Sequence, residues 1–142
     1  MTIRFRLFAA IVALLAAVAL PVYAKTTATR YECEFKPGTA RDGNWVPSVL
    51  VIQHEDGADM ALVFDPIIKF FHGKPIDAKV GETTKARREF SWKYRAKAGQ
   101  SQDFTMSYSF VYYTSGKAKI TARPGGFDNS WSGDGTCKVT KG

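Results

Sequence analysis

The sequence predicts an all-β fold, a single antiparallel barrel or sandwich of about eight strands. After residue 24, apolar and polar residues alternate with a period of two in short segments that turn residues separate, and no segment has a convincing helical period. The only two cysteines, Cys33 and Cys137, lie in the first and the last predicted strand. A disulfide between them would join the terminal strands, which favours a barrel because closure removes exposed sheet edges.

The N-terminus has the features of a secretory signal peptide. Two arginines, Arg4 and Arg6, precede an apolar run over residues 7–20, and small residues near Ala24 form a cleavage site. The run is shorter than the ~20 residues that cross a bilayer. We therefore expect residues 1–24 to be removed and residues 25–142 to form one periplasmic or secreted domain with no transmembrane span.

The expected export of the protein decides how its two cysteines and its net charge are interpreted. Two cysteines in an oxidising compartment indicate a structural disulfide, here Cys33–Cys137. The chain has 20 Lys and Arg against 13 Asp and Glu, so loss of Arg4 and Arg6 leaves 18 basic residues and a net charge of +5. An exported basic domain is expected to meet anionic envelope components rather than nucleic acid. The same charge could also serve only solubility.

The first half of the mature chain carries the shorter predicted strands. Trp45, in the loop after the first strand, is expected to fold over one end of the core. The apolar run at residues 67–71 is of uncertain type, and residues 81–88 are expected to form a basic, flexible connection. The strands predicted in this half are residues 30–36, 48–54, 60–64 and a weak one at 76–80.

The second half carries the clearest strands, at residues 89–97, 104–114, 117–123 and 131–139. The turns between the first three are short, so these strands should lie side by side as a meander. In the last strand, Gly133 and Gly135 share a face with Cys137. Glycines so spaced allow a strand to bend or another backbone to approach closely, as barrel closure requires.

Aromatic side chains dominate the predicted inward faces. They could line a cavity for an apolar ligand, or they could pack into a filled core. The small residues Ala118 and Ala122 on a facing strand favour the packed core, because they complement large rings. The aromatic residues assigned inward are Tyr31, Phe35, Phe64, Phe90, Trp92, Tyr94, Phe104, Tyr108, Phe110, Tyr112 and Trp131.

Basic side chains dominate the opposite face of the meander, and the strand between them is expected to expose only Ser and Thr. Such a surface could hold phosphate or carboxylate groups, or it could be an ordinary solvated face on which lysines discourage edge pairing. We call six residues the basic face: Lys93, Arg95, Lys97, Lys117, Lys119 and Arg123.

No motif in the sequence indicates catalysis, a cofactor or a metal site. The two histidines, His54 and His72, have none of the spacings of zinc ligands. Nucleophile elbows, Walker loops and dinucleotide-binding glycine patterns are absent from the sequence. The sequence therefore predicts that the protein is not an enzyme.

The layout resembles small exported β proteins that open with Tyr31-Glu-Cys33-Glu-Phe35 and close with Gly133-Asp-Gly135-Thr-Cys137. It is more distantly similar to the periplasmic inhibitors of c-type lysozyme, which also open with a Tyr-x-Cys strand. Their inhibitory loop reads Ser-Gly-x-x-Tyr, whereas Ser115-Gly116 is followed here by Lys-Ala-Lys. Since the loop tyrosine is missing, the resemblance does not extend to lysozyme inhibition.

These observations favour a non-catalytic exported domain that binds an anionic envelope lipid, a glycan or an acidic protein. The alternatives are a calycin-like carrier with a small apolar ligand inside the barrel, and an enzyme of unrecognised type. A ligand-sized cavity would favour the carrier, and a convergent polar cleft would favour the enzyme. The sequence does not determine the oligomeric state.

Overall fold

The computed structural model describes residues 26–36, 45–98 and 102–142. The expected signal peptide at residues 1–24 lies outside these ranges. The elements are β1 (Ala28–Phe35), β2 (Val49–Glu55), β3 (Met60–Phe64), α1 (Pro66–His72), β4 (Ile76–Thr83), β5 (Arg87–Ala98), β6 (Gln102–Tyr113), β7 (Lys117–Pro124) and β8 (Trp131–Lys141).

The eight strands form a closed antiparallel barrel. Each strand pairs with its sequence neighbours, and β1 pairs with β8 to complete the ring. The all-β prediction is therefore confirmed, and of its two architectures the barrel is the correct one. Because each of the eight described strands has two neighbours, none of these eight presents a free edge to another chain.

The disulfide is the covalent part of this closure. Cys33 and Cys137 lie directly opposite each other in the β1–β8 ladder and are bonded, which confirms the predicted pair. Close approach of backbones at the same seam explains Gly135, where a Cβ atom would lie 2.2 Å from the carbonyl oxygen of Glu34. A side chain at this position would push β1 away from β8, so the structure confirms the role expected for this glycine.

The barrel interior is filled by side chains. Phe90, Phe110, Ile52 and Ile120 are at most 1% exposed, and the rings of Phe90 and Phe110 lie 6.1 Å apart. Trp92 stacks on Tyr108 with centroids 5.3 Å apart. These contacts describe a packed core rather than a large central cavity. Of the rings assigned inward, Tyr31, Phe35, Tyr94 and Tyr108 are also buried, while Phe104, Tyr112 and Trp131 are half-buried against the core.

Phe64 is half-buried against the core but lies on the opposite face of β3 from the buried residues. In β3 the buried residues are Ala61 and Val63, and Val63 lies opposite the buried Ile52 of β2. Phe64 shares the outward face with Leu62, which is 48% exposed. Every residue of this strand is apolar, so alternation could not indicate which face was buried.

The run at residues 67–71 belongs to the helix α1, which the sequence analysis did not predict. Asp65 caps its N-terminus, where one carboxylate oxygen accepts hydrogen bonds from the backbone N–H groups of Ile67 and Ile68 at 2.7 and 2.8 Å. Pro66 occupies the first turn. Gly73 ends the helix in the left-handed conformation (φ 72°).

Residues 81–88 also differ from the expected flexible connection. β4 continues through Thr83 and β5 begins at Arg87, so little of the segment is outside a strand. Ion pairs join Arg87 to Glu82 and to Glu89, the latter at 3.3 Å. These contacts tie the basic side chain to its own hairpin.

The helix and Trp45 close one end of the barrel, as expected for Trp45. The indole stacks on Phe71 of α1 at 6.0 Å, and it also meets Phe104 and Trp131 at 5.4 and 6.5 Å. The hydroxyl of Tyr108 donates a 2.9 Å hydrogen bond to the backbone oxygen of Trp45. We call this end the plugged end.

Candidate functional site

The basic face lies on three adjacent strands, β5, β6 and β7. Their alternation points aromatic and small side chains inward and charged or hydroxyl side chains outward. All six residues of the basic face are exposed: Lys93, Arg95, Lys97, Lys117, Lys119 and Arg123.

The strand register places two of these cations in one row. Lys93 lies opposite Ser107, and Ser107 lies opposite Arg123 on its other side. Two strand spacings separate the two cations, about 10 Å. Arg95 lies beside this row, opposite Thr105. The row therefore presents two cations across a strip of hydroxyl groups, as the sequence predicted.

The cations do not, however, form one continuous stripe. β6 exposes more than Ser and Thr, because Val111 and Tyr113 also lie on its outer face. Val111 separates Lys119 from Glu89, and on the opposite side Lys119 lies beside Asp134 of β8. Lys117 and Lys119 thus form a second group, displaced along the strands from Lys93, Arg95, Lys97 and Arg123.

This division could not be predicted from the sequence, because alternation within a strand does not give the register between strands. Outward residues of neighbouring strands become neighbours only through the register, which depends on turn geometry. The register also sets Asp103 opposite Lys97. Lys93, Arg95 and Arg123 are then the basic-face residues that lie opposite a hydroxyl residue on β6, either Ser107 or Thr105, whereas Lys119 lies opposite Val111.

None of the six cations forms an ion pair within the part of the chain that the structure describes. The ion pairs there involve Arg30 and Arg87 instead. A shallow hollow of ≈ 300 Å³ lies beside Arg123 and is lined by the hydroxyl residues Ser107, Ser109 and Thr121. Phosphate and carboxylate oxygens accept hydrogen bonds from such unpaired cations and hydroxyl groups.

The second group of cations borders a wider groove. A hollow of ≈ 650 Å³ runs over the outer face of β7 and β8, lined by Lys117, Lys119 and Lys36. Lys36 was not among the predicted site residues. It follows β1, and its backbone N–H bonds to the carbonyl oxygen of Asp134 at 3.3 Å, which brings it to β8. Lys36 therefore lies near Lys117 and Lys119 only because β1 pairs with β8, which the sequence pattern of single strands does not show.

The histidines have structural contacts rather than a shared site. The Nε2 atom of His54 lies 2.7 Å from the carbonyl oxygen of Ala58, and the ring of His72 packs on Tyr94 at 5.5 Å. Among residues 26–36, 45–98 and 102–142, no group of three or more His, Cys, Asp and Glu residues could hold a metal ion.

The most perturbed acid and tyrosines lie near the plugged end. Burial raises the pKa of Asp65 to about 6, although the N–H groups of Ile68 and Ile67 oppose the shift. Burial raises the pKa values of both Tyr94 and Tyr108, and the 2.7 Å hydrogen bond between their hydroxyls adds to the rise for Tyr94 but opposes it for Tyr108. Asp65 is only 2% exposed and caps α1, so this cluster has a structural role under the plug.

Within its described residues the chain has no helix long and apolar enough to cross a membrane. Comparison with family models, with curated proteins and with solved structures finds no match.

Proposed function

We propose that this protein is an exported, non-catalytic β domain that binds anionic lipid phosphates of the cell envelope through its basic face. One observation carries the proposal: six exposed cations on β5 and β7, the two strands that flank β6, form no ion pair within the described chain. A closed barrel presents such a face as a rigid sheet, so the cations need little ordering before they meet an anionic surface.

Two further features support the proposal. The Cys33–Cys137 disulfide is suited to an oxidising compartment outside the cytoplasm. The interior is packed with aromatic and aliphatic side chains, which gives no support to the alternative of a carrier with an apolar ligand inside. Binding on the outside of the barrel is then the more economical interpretation.

The proposal predicts electrostatic binding to membranes. Vesicles of phosphatidylglycerol and phosphatidylcholine should retain the protein at low salt, and vesicles of phosphatidylcholine alone should not. Each cation near an anionic bilayer contributes about 1 kcal/mol, and the contribution falls off within a Debye length, about 10 Å at 0.1 M salt. Added salt should therefore release the protein. Equal retention on both vesicles, or retention that salt leaves unchanged, would contradict the proposal.

The two other expected partners give different results in the same experiment. With an acidic glycan or an acidic protein as the true partner, anionic vesicles would retain the protein at low salt only through its net charge, and the position of the cations would not matter. That outcome would refute the lipid proposal, and immobilised acidic polysaccharide could then be used as the next probe of the basic face.

A further inference from the structure

The two ends of the barrel differ. α1 and Trp45 cover the plugged end, but the other end holds an open hollow of ≈ 360 Å³. We call this hollow the open mouth, and the residues that matter in it are Tyr31, His54, Asp56, Arg88, Tyr112 and Lys141. Its volume is within the range of about 300–1,000 Å³ that small-ligand sites occupy.

The mouth is built by the inward rows of the strands. In β5, the inward row of Phe90, Trp92 and Tyr94 continues by alternation to Arg88. In β2 the inward row that contains Leu50 and Ile52 ends at His54. These rows are apolar inside the barrel and polar at this end. A cation at the end of an interior row faces the hollow rather than bulk solvent.

Aromatic rings form the floor of the mouth. The ring of Tyr31 meets Tyr112 at 5.2 Å and Phe90 at 5.5 Å, both edge-on, and His54 meets Phe90 at 5.8 Å. Tyr31 is 4% exposed, and no hydrogen bond within the described chain reaches its hydroxyl. The floor can therefore pack against a flat apolar group, and the Tyr31 hydroxyl is available for a hydrogen bond to a ligand.

Hydrogen bonds to backbone carbonyls hold the Arg88 side chain in place but leave one edge of its guanidinium group free to bind a ligand. Its Nη1 atom donates to the carbonyl oxygens of Thr84 and of Arg87, the latter at 3.0 Å. The Nε and Nη2 groups have no partner in the described chain. Arg87, by contrast, is occupied by Glu82 and Glu89. A fixed guanidinium with free donors matches the paired oxygens of carboxylate and phosphate.

The charges around the mouth favour an anion. Burial raises the pKa of the Tyr31 hydroxyl; the positive charge of Arg88 acts against that shift, and this effect is larger than either of the opposite effects of Tyr112 and Asp56. Lys141 adds a second cation to the lining. Asp56 is the carboxylate among the described lining residues, and it accepts a 3.4 Å hydrogen bond from Thr29. His54 is held by the carbonyl oxygen of Ala58.

We propose that the open mouth binds a small organic anion, a carboxylate or phosphate monoester carried on an aromatic or other flat apolar group. The anionic group would contact Arg88, and the flat group would lie on Tyr31 and Tyr112. This site is distinct from the basic face, which lies on the outer side of the barrel, and neither proposal depends on the other.

Calorimetric titration of the whole purified protein tests the proposal. The probes are phenyl phosphate, benzoate, inorganic phosphate and phenol. Phenyl phosphate or benzoate should bind saturably with Kd of about 1 mM or tighter, and phenol and inorganic phosphate at least about tenfold more weakly, a difference of about 1.4 kcal/mol. The two anionic probes also distinguish a phosphate monoester from a carboxylate.

A matched pair of variants locates the site. Arg88→Gln should weaken binding of the better probe by at least about tenfold, whereas Arg95→Gln, the same change on the basic face, should alter it by less than about twofold. Equal effects of the two changes would overturn the proposal. So would the absence of saturable binding, or inorganic phosphate binding as tightly as phenyl phosphate.

Chemical-shift mapping on the wild-type protein gives a result that does not depend on a folded variant. The aromatic probe should shift the ring resonances of Tyr31, His54 and Tyr112. Shifts confined to residues around Lys93 and Arg123 would assign the anion to the basic face and would refute the mouth as its site.

Discussion

The two carboxyl oxygens of the buried Asp65 differ in their hydrogen bonding. One accepts both N–H bonds that cap α1, and the other has no hydrogen-bond partner among the described groups. Burial is the dominant influence on its pKa, which rises from 3.8 to about 6. The folded protein therefore holds this proton more tightly than the unfolded chain does.

The raised pKa predicts a loss of stability as pH rises. Both states are protonated at this group below pH 3.8, so the cost of its charge is absent there and grows between pH 4 and about 6. The loss amounts to about 3 kcal/mol in the free energy of unfolding above that window. Asp65→Asn keeps a good capping residue without the charge, so its stability should lack this fall.

Denaturant unfolding of both proteins at pH 4, 5, 6 and 7 measures the effect. The difference between wild type and variant is the relevant quantity, because all other titrating groups are common to both. If that difference stays constant over the series, the Asp65 carboxyl does not have a raised pKa in the folded protein.

Phe110 is a second residue whose role can be measured directly. It is fully buried and meets Phe35 and Phe90 at 6.3 and 6.1 Å. Phe110→Ala should lower the free energy of unfolding by about 3–5 kcal/mol, the range for emptying an aromatic site in a packed core. Phe70→Ala is the matched control, since Phe70 is 82% exposed. A denaturant midpoint that Phe110→Ala leaves near the wild-type value would indicate a roomy interior and would revive the carrier hypothesis.

At the scale of elements, the sequence predicted strands well where alternation was clear. β5, β6 and β7 alternate between apolar and polar side chains, and their positions and faces agree with the structure. β3 is apolar at every position, so its existence was predicted but its buried face was wrong. Periodicity requires contrast between the two faces, and β3 has none.

α1 shows a different limitation. Its seven residues make about two turns, too few for a periodic signal to be distinguished from a short strand. The capping residues did carry the information: Asp65 before Pro66 is an N-terminal signal, and Gly73 is a C-terminal one. The dipeptide Asp65-Pro66 thus follows the end of β3 and also begins the helix.

The functional surfaces were predictable in composition but not in arrangement. The six cations could be assigned outward from alternation alone, whereas their division into two groups depends on the register of β6 and β7. Arg88 was assigned to a flexible connection, because a polar residue at the end of an inward row looks like part of a loop. Only the length of β5 in the structure shows that Arg88 faces the barrel axis.

At the scale of the whole molecule, one covalent bond joins the ends of the fold. The two cysteines are 104 residues apart, and they close the β1–β8 seam. In the chain-entropy model a loop of this length restricts the unfolded chain by an amount worth about 4.7 kcal/mol. The sequence predicted this bond because export and strand position both indicated the same pair.

Removal of the disulfide should therefore lower stability markedly. Cys33→Ala with Cys137→Ala is expected to lower the free energy of unfolding by about 2–5 kcal/mol, measured by denaturant titration against the wild-type protein. Addition of a reductant to the wild type should move its midpoint in the same direction, and the double variant should not respond to the reductant. Identical midpoints for the wild type and the double variant would show that the seam is held by its ladder and packing alone.

Charge reversal within one row of the basic face tests whether this face binds an anionic membrane surface. Lys93 and Arg123 flank Ser107, and neither forms an ion pair in the described chain. The control carries the same change in net charge at Lys74 and Lys138, two exposed lysines on other parts of the surface. The measurement is the partition of each protein onto phosphatidylglycerol vesicles at low salt.

Lys93→Glu with Arg123→Glu should weaken partition by at least about 30-fold, because two cations near an anionic bilayer contribute about 2 kcal/mol. The melting temperature should change little, since both side chains are exposed. Lys74→Glu with Lys138→Glu should weaken partition by much less. If the two double variants weaken partition equally, the protein responds only to net charge and the basic face is not a binding site.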